Sequence, residues 1–243
     1  MKNKENNLDS VFAVPLEAIK AFEFDDKVTA VFQDMISRSV PGYELLVRQI
    51  GLYADVFVTP GSQIYDLGCS LGEVTQVIAH QIKQRDCQII AVDNAESMIE
   101  QCRTLSPSDQ DIQWICDDLE SVAIENASMV VLNLTLQFLN PEQRQSQLQK
   151  IYDGLLPGAV LVLSEKFIAD EKTSNERMIQ LHQAFKKAQG YSNLEISQKR
   201  TALEDVLIPD SEQTLWQRLR QCGFSEVHEC FRCFNFISFL AIK

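Results

Sequence analysis

The chain has 243 residues, a formal net charge of −12 and a pI near 4.7. Its apolar fraction of 45% and charged fraction of 23% are typical of a folded globular protein, which excludes a disordered or fibrous chain. The acidic charge argues against direct nucleic-acid binding, because phosphate contacts draw on clustered lysines and arginines. Seven cysteines without framework spacing and the lack of any stretch of ~18 consecutive apolar residues favour a cytoplasmic protein that does not bind membranes.

The first 60 residues precede the first predicted strand, and we expect them to form an N-terminal helical cap. Pro41-Gly42 interrupts the helical pattern, and a second helix is predicted over Glu44–Phe57. The first helix is predicted from Phe24, on an apolar stripe made by Val28, Val31, Phe32, Met35 and Ile36.

Strands and helices then alternate. An apolar run from Gln63 ends at Asp66, before a loop with glycines at 68 and 72. Further strands are predicted at Gln88–Val92, Ile112–Cys116, Ser128–Leu132 and Ala159–Glu165, with helices over 74–82, 95–104 and 141–152. Five such units in series predict an α/β fold with a doubly wound, mostly parallel Rossmann-like sheet.

The alternation of strands and helices stops at Lys166. Residues 166–211 are charged and read as a mostly helical insertion with a break at Gly190-Tyr191. A helix over Leu215–Cys222 precedes two β-rich runs, Val227–Phe231 and Phe234–Ile242, which are too close in sequence to pair except as an antiparallel hairpin. We therefore predict one domain over 1–243, whose core comprises 61–165 and 212–243.

Acidic side chains follow three successive predicted strands, at Asp66, Asp93 and Asp118. The carboxyl ends of parallel strands share one edge of a sheet, so these acids should converge on a crevice that binds a nucleoside. Asp93 is the candidate for the ribose hydroxyls. A dinucleotide dehydrogenase is disfavoured, because the loop lacks the third glycine of the G-x-G-x-x-G fingerprint.

Other candidate residues have structural roles as alternatives. Asn133 ends the fourth strand, where it either contacts a ligand or caps a turn. Cys230 and Cys233 have no second pair to complete a zinc site and are expected to pack in the core. His80 and His182 lack a nearby acid in sequence, and neither is expected to be a general base. Arg200 is the candidate clamp for an anion, because its planar guanidinium pairs with a carboxylate through two hydrogen bonds.

The loop Gly68-Cys69-Ser70-Leu71-Gly72 resembles motif I of class I S-adenosylmethionine-dependent methyltransferases, with Ser70 where many members have a glycine. The closing hairpin resembles theirs too. Four longer runs resemble the bacterial carboxy-S-adenosyl-L-methionine synthase family, and the similarity extends from about Phe24 to the end of the chain. These runs are Val31–Tyr43, Tyr65–Gly72, Ile124–Asn133 and Leu194–Arg200.

The resemblance implies an enzyme that takes S-adenosyl-L-methionine and prephenate and forms carboxy-S-adenosyl-L-methionine and phenylpyruvate, without a metal. It also implies a homodimer whose product supplies a separate carboxymethyltransferase for 5-oxyacetyluridine at the wobble position of transfer RNA. Arg200 would hold the new carboxylate. Asp117 departs from the family pattern, in which a glycine precedes Asp118. The ligand contacts implied are Tyr43, Gly68, Cys69, Ser70, Asp93, Asn94, Asp118, Leu119, Asn133 and Arg200.

Two alternatives remain open from the sequence. A conventional methyltransferase acting on a small molecule would share every argument about the strand ends. A non-catalytic protein that binds the nucleoside would share them as well, since a fold does not establish a function.

Overall fold

The computed structural model describes residues 8–83, 86–106 and 111–243, so the first seven residues of the predicted cap lie outside it. The strands are β1 Gln63–Leu67, β2 Gln88–Asp93, β3 Ile112–Cys116, β4 Ala127–Asn133, β5 Leu155–Lys166, β6 Glu226–Cys233 and β7 Phe236–Ile242. The helices are α1 Asp26–Ser39, α2 Tyr43–Phe57, α3 Glu73–Gln81, α4 Glu96–Leu105, α5 Arg144–Gly154, α6 Lys172–Ala188, α7 Asn193–Leu203 and α8 Glu212–Cys222, with a 3-10 turn at Leu136–Phe138.

The strands form one seven-stranded sheet in the order β3-β2-β1-β4-β5-β7-β6. The first five strands are parallel, whereas β7 lies antiparallel between β5 and β6. The predicted fold class, a mostly parallel sheet completed by an antiparallel hairpin, is confirmed. The carboxyl ends of β1, β2, β4 and β5 therefore share one edge of the sheet.

Both faces of the sheet are covered by helices, so the central strands β1, β2 and β4 are buried along almost their whole length. Successive side chains of a strand point to opposite faces. In β1, Tyr65 and Leu67 join the hydrophobic cluster that includes buried residues of α5 and α8. Ile64 joins a second cluster, with residues of α2 and α3, on the other face.

Several predicted boundaries were wrong. Helix α8 begins at Glu212 rather than Leu215, and β6 ends at Cys233 rather than Phe231. β5 begins at Leu155 rather than Ala159: Leu155 pairs with Ala127, and a shift in register lets Pro157-Gly158 bulge out of the ladder before Val160 pairs with Met129. Helix α5 begins at Arg144, because Pro141 to Gln143 form a turn. Phe234 belongs to the hairpin turn, where it has a φ of 50°.

The insertion and the chain's N-terminal segment pack together. The side-chain amide of Gln198, on α7, donates to the carbonyls of Phe12 and Val14, and its oxygen accepts from the Leu16 amide. The Tyr191 hydroxyl, in the break between α6 and α7, donates to Asp9. Within the described residues, no helix is both long and apolar enough to cross a membrane.

Candidate functional site

A cavity of about 640 Å³ lies at the carboxyl edge of the parallel strands, between the sheet, α1 and the two insertion helices. The structure brings all ten residues proposed from the sequence to this one cavity, while their roles toward a ligand stay predictions. They are Tyr43, Gly68, Cys69, Ser70, Asp93, Asn94, Asp118, Leu119, Asn133 and Arg200.

The loop after β1 requires glycine at its first position. Gly68 has a φ of 79°, which side chains rarely adopt, and a Cβ added there would overlap the side chain of Thr135. The amides of Gly68 and Cys69 both donate to the Val92 carbonyl, at 2.8 and 2.9 Å. These contacts fix the loop against the end of β2 and keep its backbone open to the cavity.

Asp93 connects two loops at the end of β2. One oxygen of its carboxylate accepts the Ser70 amide at 2.8 Å, and the other accepts the Ala95 amide at 2.9 Å. Burial raises the pKa of Asp93, while these backbone donors oppose the rise. A carboxylate oxygen has two lone pairs, so each retains one acceptor position for a ligand hydroxyl.

Asp66 and Tyr43 are buried residues that line the cavity together with the loop. The Thr75 hydroxyl donates to Asp66 at 2.5 Å, and burial raises the pKa of Asp66 to about 6. Tyr43 begins α2 and is also buried, which raises the pKa of its hydroxyl well above 10, with added repulsion from Glu73 and Asp66. The Tyr43 phenol is therefore neutral and serves as a hydrogen-bonding group rather than an anion.

The residues that follow β2 and β3 form hydrogen bonds with one another. The Asn94 side-chain amide donates to the Asp118 carboxylate at 2.9 Å, and the Asp118 backbone amide donates to the Asp117 carboxylate at 2.8 Å. Asp117, the departure from the family pattern, therefore stabilises the backbone of its neighbour. Asp118 still lines the cavity.

Asn133, at the end of β4, has an unsatisfied acceptor. Its side-chain oxygen is buried without a hydrogen-bond partner in the part of the chain that the structure describes. An unpaired buried acceptor costs about 1–3 kcal/mol, so such a group is normally explained by a ligand or an ordered water. A ligand amino group would satisfy the Asn133 oxygen, so the site fits the amino-acid moiety of S-adenosylmethionine.

The turn after Asn133 is anchored from below by a buried acid. The Glu165 carboxylate, near the end of β5, accepts the backbone amides of Thr135, Leu136 and Gln137 at 2.8–3.2 Å. Burial raises the pKa of Glu165 to about 8, against the lowering effect of these donors. Glu165 thereby holds Thr135 against Gly68 and shapes the cavity without facing solvent.

The insertion brings a cluster of cations that sequence reasoning missed. Lys166, Lys186 and Lys199 line the same cavity as Arg200. Lys166 ends β5, Lys186 lies on α6, and Lys199 precedes Arg200 on α7. One signal could have suggested part of the cluster: Lys186 lies four residues after His182, which places both on one face of a helix.

His182 has no basic role in this arrangement. Burial and the neighbouring lysines lower its pKa to about 3, so the imidazole is neutral. Its Nε2 lies 2.8 Å from the Ser39 carbonyl, to which it donates. His80 lies exposed on α3, outside the cavity lining.

The cysteine pair lies on β6. Cys230 is half-buried against the hydrophobic cluster that contains α2 and α3, and Cys233 is half-buried near the hairpin turn. Among the described residues, no group of three or more His, Cys, Asp or Glu side chains has the arrangement of a metal site.

Comparison with known proteins agrees with this architecture. Residues 64–158 match the family described as "Methyltransferase domain". The human N-acetylserotonin methyltransferase, solved in complex with S-adenosylmethionine, has a similar fold at a TM-score of 0.59 and 16% identity, over 89% of this chain and 55% of that one. At that identity the likeness concerns the fold alone.

Full-length relatives identify the family. A carboxy-S-adenosyl-L-methionine synthase of Vibrio campbellii is 51% identical over 244 residues, which cover 99% of this chain and 100% of the relative. That of Vibrio cholerae is 52% identical over 246 residues, with both chains fully covered. The chain therefore belongs to the carboxy-S-adenosyl-L-methionine synthase family, as the four sequence runs predicted.

Proposed function

We propose that this protein converts S-adenosyl-L-methionine and prephenate to carboxy-S-adenosyl-L-methionine and phenylpyruvate. The observation that carries the proposal is the division of one cavity into two ends. Asp66, Asp93 and Asp118 lie at the strand ends, whereas Arg200 and the three lysines lie on the insertion side. The acidic end suits a cationic nucleoside donor, and the cationic end suits an anionic second substrate.

The donor would lie along the strand ends. Asp93 would accept both ribose hydroxyls, since its backbone hydrogen bonds leave one acceptor position on each oxygen. Asn133 would accept a proton of the donor's amino group, and the open backbone of 68–70 would face the methionine moiety. The adenine side would contact Asn94, Asp118 and Leu119. Tyr43 would hydrogen-bond to the ligand as a neutral phenol.

The chemistry balances without a protein base. When prephenate loses its ring carboxyl group as carbon dioxide, the electrons of the broken carbon–carbon bond aromatise the ring and expel its hydroxyl as hydroxide. The sulfonium acidifies the methyl group of the donor, so that hydroxide removes a methyl proton and leaves as water. The methyl carbanion then forms a bond to carbon dioxide, provided that the cavity excludes other water.

Arg200 would bind the carboxylate that results. Its guanidinium lines the cavity and has no ion pair with any described residue, so its two-pronged donor set is available to a ligand. His182 would be a poor base, because a pKa of about 3 makes its imidazole hard to protonate and its Nε2–H already donates to Ser39.

Turnover tests the proposal directly. The purified protein is incubated with S-adenosylmethionine and prephenate labelled with ¹³C in the ring carboxyl group. Phenylpyruvate should form together with a labelled carboxyl group on the sulfonium nucleoside. Prephenate left unchanged would refute the proposal. S-adenosylhomocysteine accumulating with a methylated acceptor would indicate a conventional methyltransferase, and binding without turnover would indicate a non-catalytic protein.

The proposal extends to organisation and partners. The protein would act as one domain and as a cytoplasmic homodimer, with the insertion 166–211 exchanging contacts between subunits. Its product would supply a separate carboxymethyltransferase that modifies the wobble uridine of transfer RNA, so the protein itself need not bind nucleic acid. Light scattering on the purified protein, with an expected mass of two chains, tests the dimer.

A further inference from the structure

The cationic end of the cavity has more charge than Arg200 alone supplies. Lys166, Lys186 and Lys199 approach it from β5, α6 and α7. Within residues 8–83, 86–106 and 111–243, neither Lys166 nor Lys186 forms a side-chain ion pair. Lys199 donates to the Ser39 hydroxyl at 3.0 Å and lies 3.8 Å from a carboxylate oxygen of Asp9.

These cations are held together against their mutual repulsion. The Lys199 side chain is only 12% exposed. Burial and, to a smaller extent, the positive charges of Lys166 and Arg200 lower the pKa of Lys186 to about 8. Burial lowers the pKa of Lys199 to about 8, against the opposing attraction of Asp9. Removing charges from water and placing like charges together both disfavour the folded state. A ligand with negative charge would relieve both effects.

The nearest acid does not supply that charge. Asp9 already accepts the Tyr191 hydroxyl, and it approaches Lys199 alone. Arg38, the remaining cation near this end, is paired with Asp34 at 2.9 Å. His182 is neutral. Glu204 lines the same cavity, but within the described residues neither it nor any other acid forms an ion pair with Lys166 or Lys186.

The wall beside the lysines is apolar. Phe236, from β7, packs edge-on against His182 with ring centroids 5.1 Å apart, and Ile179 lies one helical turn before His182. Phe24 and Phe138 form another edge-on pair that lines the same cavity, with centroids 5.5 Å apart. An apolar ring bearing two carboxylates matches this combination of surfaces.

We propose that Lys166, Lys186 and Lys199 form the subsite that binds the carboxylates of the incoming dicarboxylate substrate, whereas Arg200 binds the carboxylate after transfer. This inference rests on the proposed function, because it identifies where prephenate binds. No bond is made or broken by the lysines. They position the substrate's apolar ring beside the donor's methyl group.

The test compares neighbouring lysines of α6. Lys186→Gln removes a cavity cation, and Lys187→Gln removes an exposed cation outside the cavity lining as a matched control. A charged hydrogen bond contributes about 1.5–3 kcal/mol, so Lys186→Gln should raise the KM for prephenate roughly 10- to 100-fold. The Kd for S-adenosylmethionine and the kcat at saturating prephenate should change by less than about twofold, and Lys186→Arg should restore much of the lost affinity.

A second measurement separates this inference from the proposed function. Prephenate is titrated calorimetrically into the protein with S-adenosylhomocysteine, which has no methyl group to react. Dicarboxylate binding that Lys186→Gln weakens supports the subsite even if turnover fails. Turnover of prephenate with an unchanged KM in Lys186→Gln and Lys199→Gln would overturn the subsite and leave the function standing. Equal losses of affinity for prephenate and for S-adenosylmethionine would assign the lysines a structural role and would also overturn the subsite.

Protonation offers a readout that a structural role would not move. The charged groups around these lysines are Arg200 and Glu204 in the cavity lining and Asp9, Asp34 and Arg38 beside Lys199. Binding a dianion there should return the lowered lysine pKa values toward 10.5, while His182 stays neutral. Titrations near pH 8 in two buffers of different ionisation enthalpy should therefore reveal proton uptake with prephenate. Lys186→Gln should reduce that uptake, and Lys187→Gln should not. No uptake in the unmodified protein would contradict the subsite.

Discussion

Replacing Arg200 with alanine should separate the two forms of the nucleoside ligand. Arg200 has no ion pair among the described residues, so its removal leaves no acid unpaired, and it relieves repulsion of Lys166 and Lys186. The fold should tolerate the change. A guanidinium–carboxylate pair contributes about 1.5–3 kcal/mol, so the Kd for carboxy-S-adenosyl-L-methionine should rise roughly 10- to 100-fold. The Kd for S-adenosylmethionine, whose methyl group has no charge to pair, should change by less than about twofold.

Calorimetry with both nucleosides measures the two affinities on one preparation. Arg200→Lys should lie between the unmodified protein and Arg200→Ala, because lysine keeps the charge but loses the planar two-bond geometry. Arg177→Ala, an exposed position of α6 outside the cavity lining, serves as the control. An equal loss of affinity for both nucleosides in Arg200→Ala would refute the assigned role and indicate that Arg200 supports the cavity wall.

Three further predictions concern the strand ends and the imidazole. Gly68→Ala should lower both the melting temperature and the affinity for S-adenosylmethionine, because the added Cβ overlaps Thr135. Gly61→Ala is the control, since Gly61 has nearly the same φ, +76°, but no atom within 4 Å of its added Cβ. Equal effects of the two substitutions would mean that the overlap with Thr135 is unimportant. Asn133→Leu should weaken S-adenosylmethionine binding about tenfold, measured by titration. The free energy of unfolding in urea should stay the same or increase, because the substitution removes a buried oxygen that has no hydrogen-bond partner. A clear loss of stability would show that Asn133 is structural. The pKa of His182 is about 3 in the folded protein and about 6.5 in the unfolded chain, so its contribution to stability is complete above pH 6.5 and decreases as the pH falls, by roughly 2 kcal/mol at pH 5. His182→Gln should remove that part of the acid sensitivity in urea titrations. An unchanged pH profile in the variant would contradict the assignment.

The strand ends could be predicted because their information is local. Each of Asp66, Asp93 and Asn133 follows an apolar run long enough to be a buried strand, and parallel topology alone brings such ends together. Gly68 could be predicted as well, because a turn with positive φ favours glycine. The loop has no third glycine, and it is held by backbone hydrogen bonds to Val92 and by the Asp93 carboxylate, which accepts the Ser70 amide.

The cationic subsite could not be predicted in the same way. Lys166 and Lys186 are 20 residues apart and converge only because α6 folds back over the end of β5. In sequence, each reads as an ordinary solvated lysine. The start of β5 was missed for a related reason: Pro157-Gly158 normally ends a regular element, and only pairing with β4 shows that the strand continues through a bulge.

The separation of charge within the molecule has a kinetic consequence. A protein of net charge −12 repels a dianion at long range, while its attractive lysines face an internal cavity. At physiological salt, charges interact over only about 8 Å, so added salt screens the outer repulsion more than the partly buried pairs. The association rate of the dicarboxylate should then increase with ionic strength, the reverse of ordinary electrostatic steering. Such a site selects its anion through the short-range contacts inside the cavity rather than through long-range attraction.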